Sequence, residues 1–209
     1  MINLRGVEKY YYDKLIVRIP EFTFDAGITW IAGVNGSGKT TLLKAISGMI
    51  PFNGDVILTG TSLNKKPVAY RRMISYAEAE PLYPAFVTGW HLVRYYQSTR
   101  KASDENVGEL VRLSALEQQL KNPVGTYSSG MVKRLSLLLA LMGHVPLILL
   151  DEPLATLDAA GVETLPVLMQ EYRKRYETSF IFSSHQALPP SLHIDHKYVI
   201  DNNTIQQIK

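Results

Sequence analysis

Gly33-Val34-Asn35-Gly36-Ser37-Gly38-Lys39-Thr40 reads G-x-x-x-x-G-K-[ST], and its residue types suit one chemistry. A polyphosphate needs several donors converging on its oxygens, and glycines let backbone N–H groups approach without interference from a Cβ. A helix opening near Gly38 adds its positive end. Lys39 is placed to reach the β- and γ-phosphates as a point charge, and the Thr40 hydroxyl to ligate Mg2+. A nucleoside triphosphate is the natural ligand. Far along the chain, Leu147-Ile148-Leu149-Leu150-Asp151-Glu152 is an apolar run ending in paired carboxylates. In a parallel sheet, ligands collect at the carboxyl ends of strands. Asp151 there can hold Mg2+, usually through water, and Glu152 can polarise an attacking water. Alone, such a strand could equally end in a solvated acidic turn; after a phosphate loop it reads as hydrolytic.

Side chains with these tasks need regular elements to carry them. Residues 28–32 form a short β-rich apolar run, and residues 41–48 carry apolar positions at helical spacing and stop at a glycine. Strand, glycine-rich turn and helix are the context that a phosphate loop requires. Residues 2–8 and 14–24 alternate apolar and polar, as strands near a sheet edge do. Between them lie Tyr10, Tyr11 and Tyr12, which cannot all face one core, so at least one is expected at the surface, where a base could stack on it. Residues 54–60 read as a strand bounded by glycines, and residues 71–76 lead into another.

Residues 84–144 lose the strand pattern. Helices are expected over 88–99, 103–114 and 128–143, with Thr88 and Ser103 as N-caps and Glu105 and Asn106 in a suitable first turn. A continuous apolar strand of the doubly buried parallel kind follows at 146–151. Then come an amphipathic helix over 162–176, a strand over 179–184, and a hairpin of 197–200 with 204–208 turned at Asp201-Asn202-Asn203. The expectation is one α/β domain over 1–209, with a helical block inserted at about 84–144 between two parts of its sheet.

The length of 209 residues suits one or at most two domains and can bury a sizeable core. Hydrophobic content of 46% and charged content of 20% are those of a soluble globular protein. Basic residues number 22 against 19 acidic, a net +3 that gives no electrostatic case for binding nucleic acid. With no cysteine there is neither disulfide nor thiolate metal site. The N-terminus lacks the apolar core of a signal peptide, and no run approaches the ~18 apolar residues of a membrane span. The chain is expected to be soluble; if it works at a membrane, another chain crosses it.

Tyr127-Ser128-Ser129-Gly130-Met131 precedes Val132-Lys133-Arg134-Leu135-Ser136-Leu137. Ser128 can cap a helix, and its hydroxyl with the Gly130 N–H and the helix dipole makes an anion site. At this point the order of motifs resembles the ABC (ATP-binding cassette) ATPases, over essentially the whole chain. Their signature is usually Leu-Ser-Gly-Gly-Gln, and a Tyr-Ser-x-Gly-Met form is a familiar variant among exporter-type cassettes. The resemblance implies a P-loop NTPase fold of the cassette type: a mostly parallel core sheet, an antiparallel β portion and an inserted helical subdomain. It implies ATP hydrolysis with Mg2+, with Glu152 as general base. Tyr11 matches the aromatic that stacks on adenine. Asn35, Gly36, Ser37, Gly38, Lys39, Thr40 and Thr41 fall in the phosphate loop, Leu157-Asp158 matches the D-loop, and His185 matches the histidine that contacts the γ-phosphate.

Such domains work as head-to-tail pairs, each burying ATP between its own phosphate loop and the partner's signature, here Ser128, Ser129 and Gly130. A homodimer at the cytoplasmic face of a membrane is therefore expected, energising a separate transmembrane permease. The chain also departs from the pattern. The family's Q-loop glutamine should fall near Ala79 in Ser75-Tyr76-Ala77-Glu78-Ala79-Glu80-Pro81, and alanine ligates nothing. Glu80, or else Glu78, offers the nearest carboxylate, with Glu80 expected as an extra Mg2+ ligand. Ser129 replaces a signature glycine and Met131 its glutamine. The alternatives are a soluble cassette acting as a switch in translation or DNA repair, and a nucleotide-responsive subunit with little turnover.

Overall fold

Described over residues 1–208, the computed structural model opens with β1 (Ile2–Tyr11) and β2 (Lys14–Phe24), joined antiparallel by the turn Tyr12-Asp13. The first strand thus runs past the expected residue 8, and it carries Tyr10 and Tyr11 in the ladder. β3 (Ile28–Ala32) leads into α1 (Lys39–Ser47), and β4 (Asn53–Leu58) and β5 (Thr61–Ser62) follow. A four-stranded antiparallel sheet results, in the order β2-β1-β4-β5. α2 (Pro67–Arg72) was not expected from the sequence. It is a six-residue helix with proline in its first turn, where the missing N–H costs nothing. Arg71 and Arg72 end it rather than open a strand, and β6 (Ile74–Ala77) starts after Met73.

The helical block comprises α3 (Gly89–Arg100), α4 (Asp104–Ser114) and α5 (Ser129–Leu141). Thr88, Ser103 and Ser128 each accept the backbone N–H three residues on, as N-caps do. The chain closes with β7 (Leu147–Asp151), α6 (Ala159–Tyr176), β8 (Ser179–Ser183), β9 (His196–Asp201) and β10 (Thr204–Gln207). α6 begins three residues before the expected start, because Asp158 caps it by accepting the Gly161 N–H at 3.0 Å. The final hairpin turns on Asn202-Asn203 alone, at φ 47° and 65°, the left-handed pair that two-residue hairpins need.

The second sheet has the order β10-β9-β3-β8-β7-β6, parallel throughout except for β10. All five residues of β7 are buried, as expected of a strand covered on both faces. Its alternate side chains enter two separate cores. Leu147 and Leu149 join Leu42, Leu43 and Ile46 of α1 and the inner face of the antiparallel sheet. Ile148 and Leu150 join Leu135, Leu138 and Leu139 of α5 and Leu165 and Met169 of α6. The period of two along one strand therefore divides the molecule into layers. α5 closes the inserted block, yet it packs directly on β6 and β7, which holds that block against the sheet.

Candidate functional site

Because β3, β8, β7 and β6 are parallel neighbours, their carboxyl ends lie side by side along one edge of the sheet. The phosphate loop leaves β3, His185 follows β8, Asp151 and Glu152 end β7, and Ala79 lies just beyond β6. Adjacent strands sit roughly 4.8 Å apart, so side chains from all four ends can converge on one small ligand.

Gly38 caps α1 at φ 107°, and a Cβ there would lie 3.1 Å from the Ile16 carbonyl and the Val17 side chain. Only glycine lets the loop press this closely on β2. The Ser37 N–H donates to the Val34 carbonyl at 3.1 Å, closing the turn. Lys39 is buried, and its Nζ folds back to donate to the Gly33 carbonyl at 2.7 Å and the Val34 carbonyl at 3.1 Å. The ammonium is thereby pinned to the loop it serves. Thr40, Asn35 and Gly36 are exposed, whereas Thr41 is buried. The Ser37 hydroxyl is buried without a hydrogen-bond partner, a polar atom left free inside a loop of donors.

At the end of β7, Asp151 is buried. Ser183 Oγ donates to its Oδ1 at 2.6 Å, and the Tyr76 hydroxyl approaches Oδ2 at 3.3 Å. Burial, and then the neighbouring carboxylate of Asp151, raise the Tyr76 pKa, so this phenol stays protonated and donates. The Glu152 N–H donates to Ser183 Oγ at 3.0 Å, so one serine hydroxyl links both carboxylate residues. Glu152 has φ 47°, a conformation a non-glycine residue rarely holds. Its Oε1 lies 2.9 Å from His185 Nδ1, and its Oε2 accepts the His185 N–H at 3.4 Å.

Around the signature, Ser128 Oγ accepts the Met131 N–H at 3.2 Å and stays exposed, as does Ser129. A Cβ on Gly130 would lie 2.8 Å from the Thr156 carbonyl, so glycine allows α5 to touch the segment leading to Asp158. The Arg134 guanidinium pairs with the Asp158 carboxylate. The Gly161 N–H, and then Arg134, hold that carboxyl below its usual pKa. Of the tyrosines, Tyr12 is fully exposed in the turn and Tyr10 takes a 3.0 Å hydrogen bond from Arg18. Tyr11 is half-exposed, with Lys9 Nζ 4.9 Å from its ring centre.

Past β6, Glu78 pairs with Lys44 of α1 at 3.1 Å. Glu80 is exposed and makes no hydrogen bond or ion pair among the described residues. Two backbone carbonyls of this loop instead accept from Lys133 of α5, at 3.0 Å for Glu78 and 2.6 Å for Ala79. Sequence reasoning missed Tyr76, Ser183 and Lys133. Lys133 could have been found, since Leu137 and Ala140, four and seven residues on, place it on the apolar stripe of α5.

A phosphate loop, paired carboxylates and a histidine at adjoining strand ends define a P-loop nucleoside triphosphatase. The family model described as ABC transporter matches residues 19–155, and the chain belongs to that family. It is an ATP-binding, ATP-hydrolysing cassette, and its fold is that of the ABC ATPases. It is 30% identical over 194 residues to the cytochrome c biogenesis ATP-binding export protein CcmA of Legionella pneumophila (strain Lens), covering 90% of this chain and 94% of that one. An uncharacterized ABC transporter ATP-binding protein of Bacillus subtilis (strain 168), YdbJ, is 30% identical over 192 residues. That match covers 88% of this chain but only 61% of the longer relative. Among solved structures, an ATP-binding subunit of an ABC transporter superposes with TM-score 0.88 at 22% identity, covering 99% of this chain and 90% of its own. A dimeric cassette in a post-hydrolysis state, bound to ADP and Pi, gives 0.83 at 17% identity over 100% of this chain and 99% of its own.

Proposed function

We propose that the cassette works as one half of an ATP-bound pair and drives a separate membrane-spanning permease from the cytoplasmic face. The pairing of Glu152 with His185, beside Asp151 and the phosphate loop, carries the hydrolytic part of this reading. Glu152 takes the proton of a water that attacks the γ-phosphorus, while the bond from that phosphorus to the ADP oxygen breaks. His185 holds the carboxylate in place through Oε1. Lys39 and the loop N–H groups offset the charge that develops on the phosphoryl oxygens. The orphaned Ser37 hydroxyl lies within the same loop and is free to donate to an anion.

The donor set also suits Mg2+. Thr40 offers an exposed hydroxyl and Asp151 a carboxylate whose two oxygens are already oriented by Ser183 and Tyr76. Among the described residues no cluster of three His, Asp or Glu could hold an ion alone, so phosphate and water oxygens would supply the remaining ligands. Bound there, Mg2+ would neutralise phosphate charge. The Glu80 carboxylate is exposed and makes no ion pair among the described residues, so it stays free to add a further ligand, as expected from the sequence.

Pairing is supported by the exposed signature end of α5, a second helix N-terminus fit for an anion. The dimeric state of the solved cassette bound to ADP and Pi points the same way. For the permease, the support is the segment after β6. It exposes Leu82 and Phe86, at 92% and 82%, and Tyr95 of α3 lines the same hollow as Leu82, apolar surface of the kind partners cover. No helix among the described residues is long and apolar enough to cross a membrane. Export, as in the name of the Legionella relative, is the direction we favour.

Glu152→Gln tests the hydrolytic core. Turnover should fall by roughly 10²–10⁴-fold, the usual worth of a general base, with ATP binding kept. With Mg2+ and ATP the variant should elute as a dimer in size-exclusion chromatography. A monomer that hydrolyses ATP at the normal rate would sink the assignment.

A further inference from the structure

Lys133 occupies a position where the helix should be apolar. The residue is 2% exposed, beneath the carboxyl edge of the parallel sheet. Its ammonium has three N–H donors, and all three go to backbone carbonyls: Ala79 at 2.6 Å, Glu78 at 3.0 Å and Asp151 at 3.4 Å. Asp151, Glu152 and Glu80 are the carboxylates that face it. Burial lowers its pKa to about 8 against their opposing pull, so the group remains mostly cationic at neutral pH. Taking an ammonium out of water is costly, and an apolar side chain here would avoid that cost but leave three carbonyls without this donor. The lysine therefore does what no apolar residue could: it ties carbonyls of two segments to one helix.

Its three acceptors belong to two segments that matter for hydrolysis. Glu78 and Ala79 form the loop after β6, where the family places a glutamine and this chain has a methyl group. Asp151 adjoins Glu152, which makes the backbone turn at φ 47°. The lysine itself stands five residues beyond Ser128, the cap of the signature helix, and its neighbour Arg134 reaches Asp158. One turn of α5 thus grips the loop after β6, the end of β7 and the D-loop at once.

We propose that Lys133 is a positioning residue, which locks the Ala79 loop and the Asp151–Glu152 strand end to the signature helix. It thereby substitutes through the backbone for the side-chain link that Ala79 cannot make. A shift of α5 when a partner's ATP engages Ser128 is then carried directly to the carboxylate that activates water. The inference rests on the assignment of Glu152 to the hydrolytic step.

The experiment compares Lys133→Met, which keeps an unbranched side chain as far as Cε and removes every donor, with Lys133→Gln, which has the same reach and keeps two N–H donors. Each is measured for kcat and KM of ATP hydrolysis, for affinity toward a fluorescent ATP analogue, and for melting temperature. Lys133→Met should lower kcat about tenfold or more, since misplacement of a catalytic group on the order of 1 Å is felt at that scale. Its KM and nucleotide affinity should stay within about twofold of wild type. Lys133→Gln should recover most of the lost kcat, a rescue that simple filling of space would not give. The proposal is overturned if Lys133→Met turns over within about twofold of wild type, if glutamine and methionine are equally impaired, or if nucleotide affinity falls in step with kcat. Glu152→Gln run in parallel separates the two claims: retained turnover there removes the base assignment, whichever way the lysine variants fall.

Discussion

Glu152 adopts φ 47°, and strain of this kind persists only where the surroundings over-determine it. Here they do: the Glu152 N–H is fixed by Ser183 and both carboxylate oxygens by His185. The expected adenine contact is a different case, because three adjacent tyrosines compete for it in the sequence and the structure separates them. Tyr10 is tied to Arg18, which is also 2.9 Å from Glu8, and Tyr12 stands free in the turn. Tyr11 has one face under Lys9, whose ammonium is held at 2.8 Å by the Pro51 carbonyl, so a base would take the other face. Aromatic stacking is worth about 0.5–1.5 kcal/mol, or roughly two- to tenfold in Kd. Tyr11→Ala should weaken ATP binding by that factor, and Tyr10→Ala and Tyr12→Ala by less than about twofold. Titration with a fluorescent nucleotide decides it, and equal effects at all three positions would remove the stacking role from Tyr11.

At the level of elements, α4 shows how the inserted block is secured. Asn106 is buried; its Nδ2 donates to the Tyr172 hydroxyl of α6 at 2.9 Å, and its Oδ1 accepts the Gly143 N–H at 3.1 Å. Asn106→Ala strands both partners away from water, a loss of about 1–3 kcal/mol for an unsatisfied buried group. In a chain of this size that should lower the melting temperature by about 2–4 °C per kcal/mol, with nucleotide affinity unchanged. A melting temperature equal to wild type would show that water replaces the lost amide. Helix starts such as Thr88, Ser103 and Ser128 were legible because a cap is local chemistry. α2 was not legible, since a six-residue helix opened by Lys66-Pro67 has too few apolar positions to show a period. The start of α6 was hidden because Asp158, expected as a D-loop residue, is also the helix cap. Motif residues could be named in advance, but the links among them could not. Ser183 meets Asp151 only because β7 and β8 pair in a register that places them opposite one another, and register is a long-range property.

For the molecule as a whole, the proposed permease raises the question of which surface would meet it. The chain carries 22 basic and 19 acidic residues, too even a balance to draw it to an anionic membrane by charge. Its apolar surface is more specific. Leu82 and Phe86 project from the loop that follows Ala79 and Glu80, with Tyr95 on α3 beside the same hollow as Leu82. The loop is tied through Glu78 to α1 and through Lys133 to α5 and β7, so a partner seated on it pulls on the phosphate-loop helix and the hydrolytic strand together. Leu82→Ser with Phe86→Ser removes the apolar contact while leaving the ties. Exposed substitutions of this kind usually change stability by less than about 0.5 kcal/mol, so the purified variant should melt as wild type does. In membranes that hold the permease, wild-type chain should sediment with the membrane fraction, and the double variant should remain in the supernatant. Sedimentation of both to the same extent would place the permease contact elsewhere on the cassette.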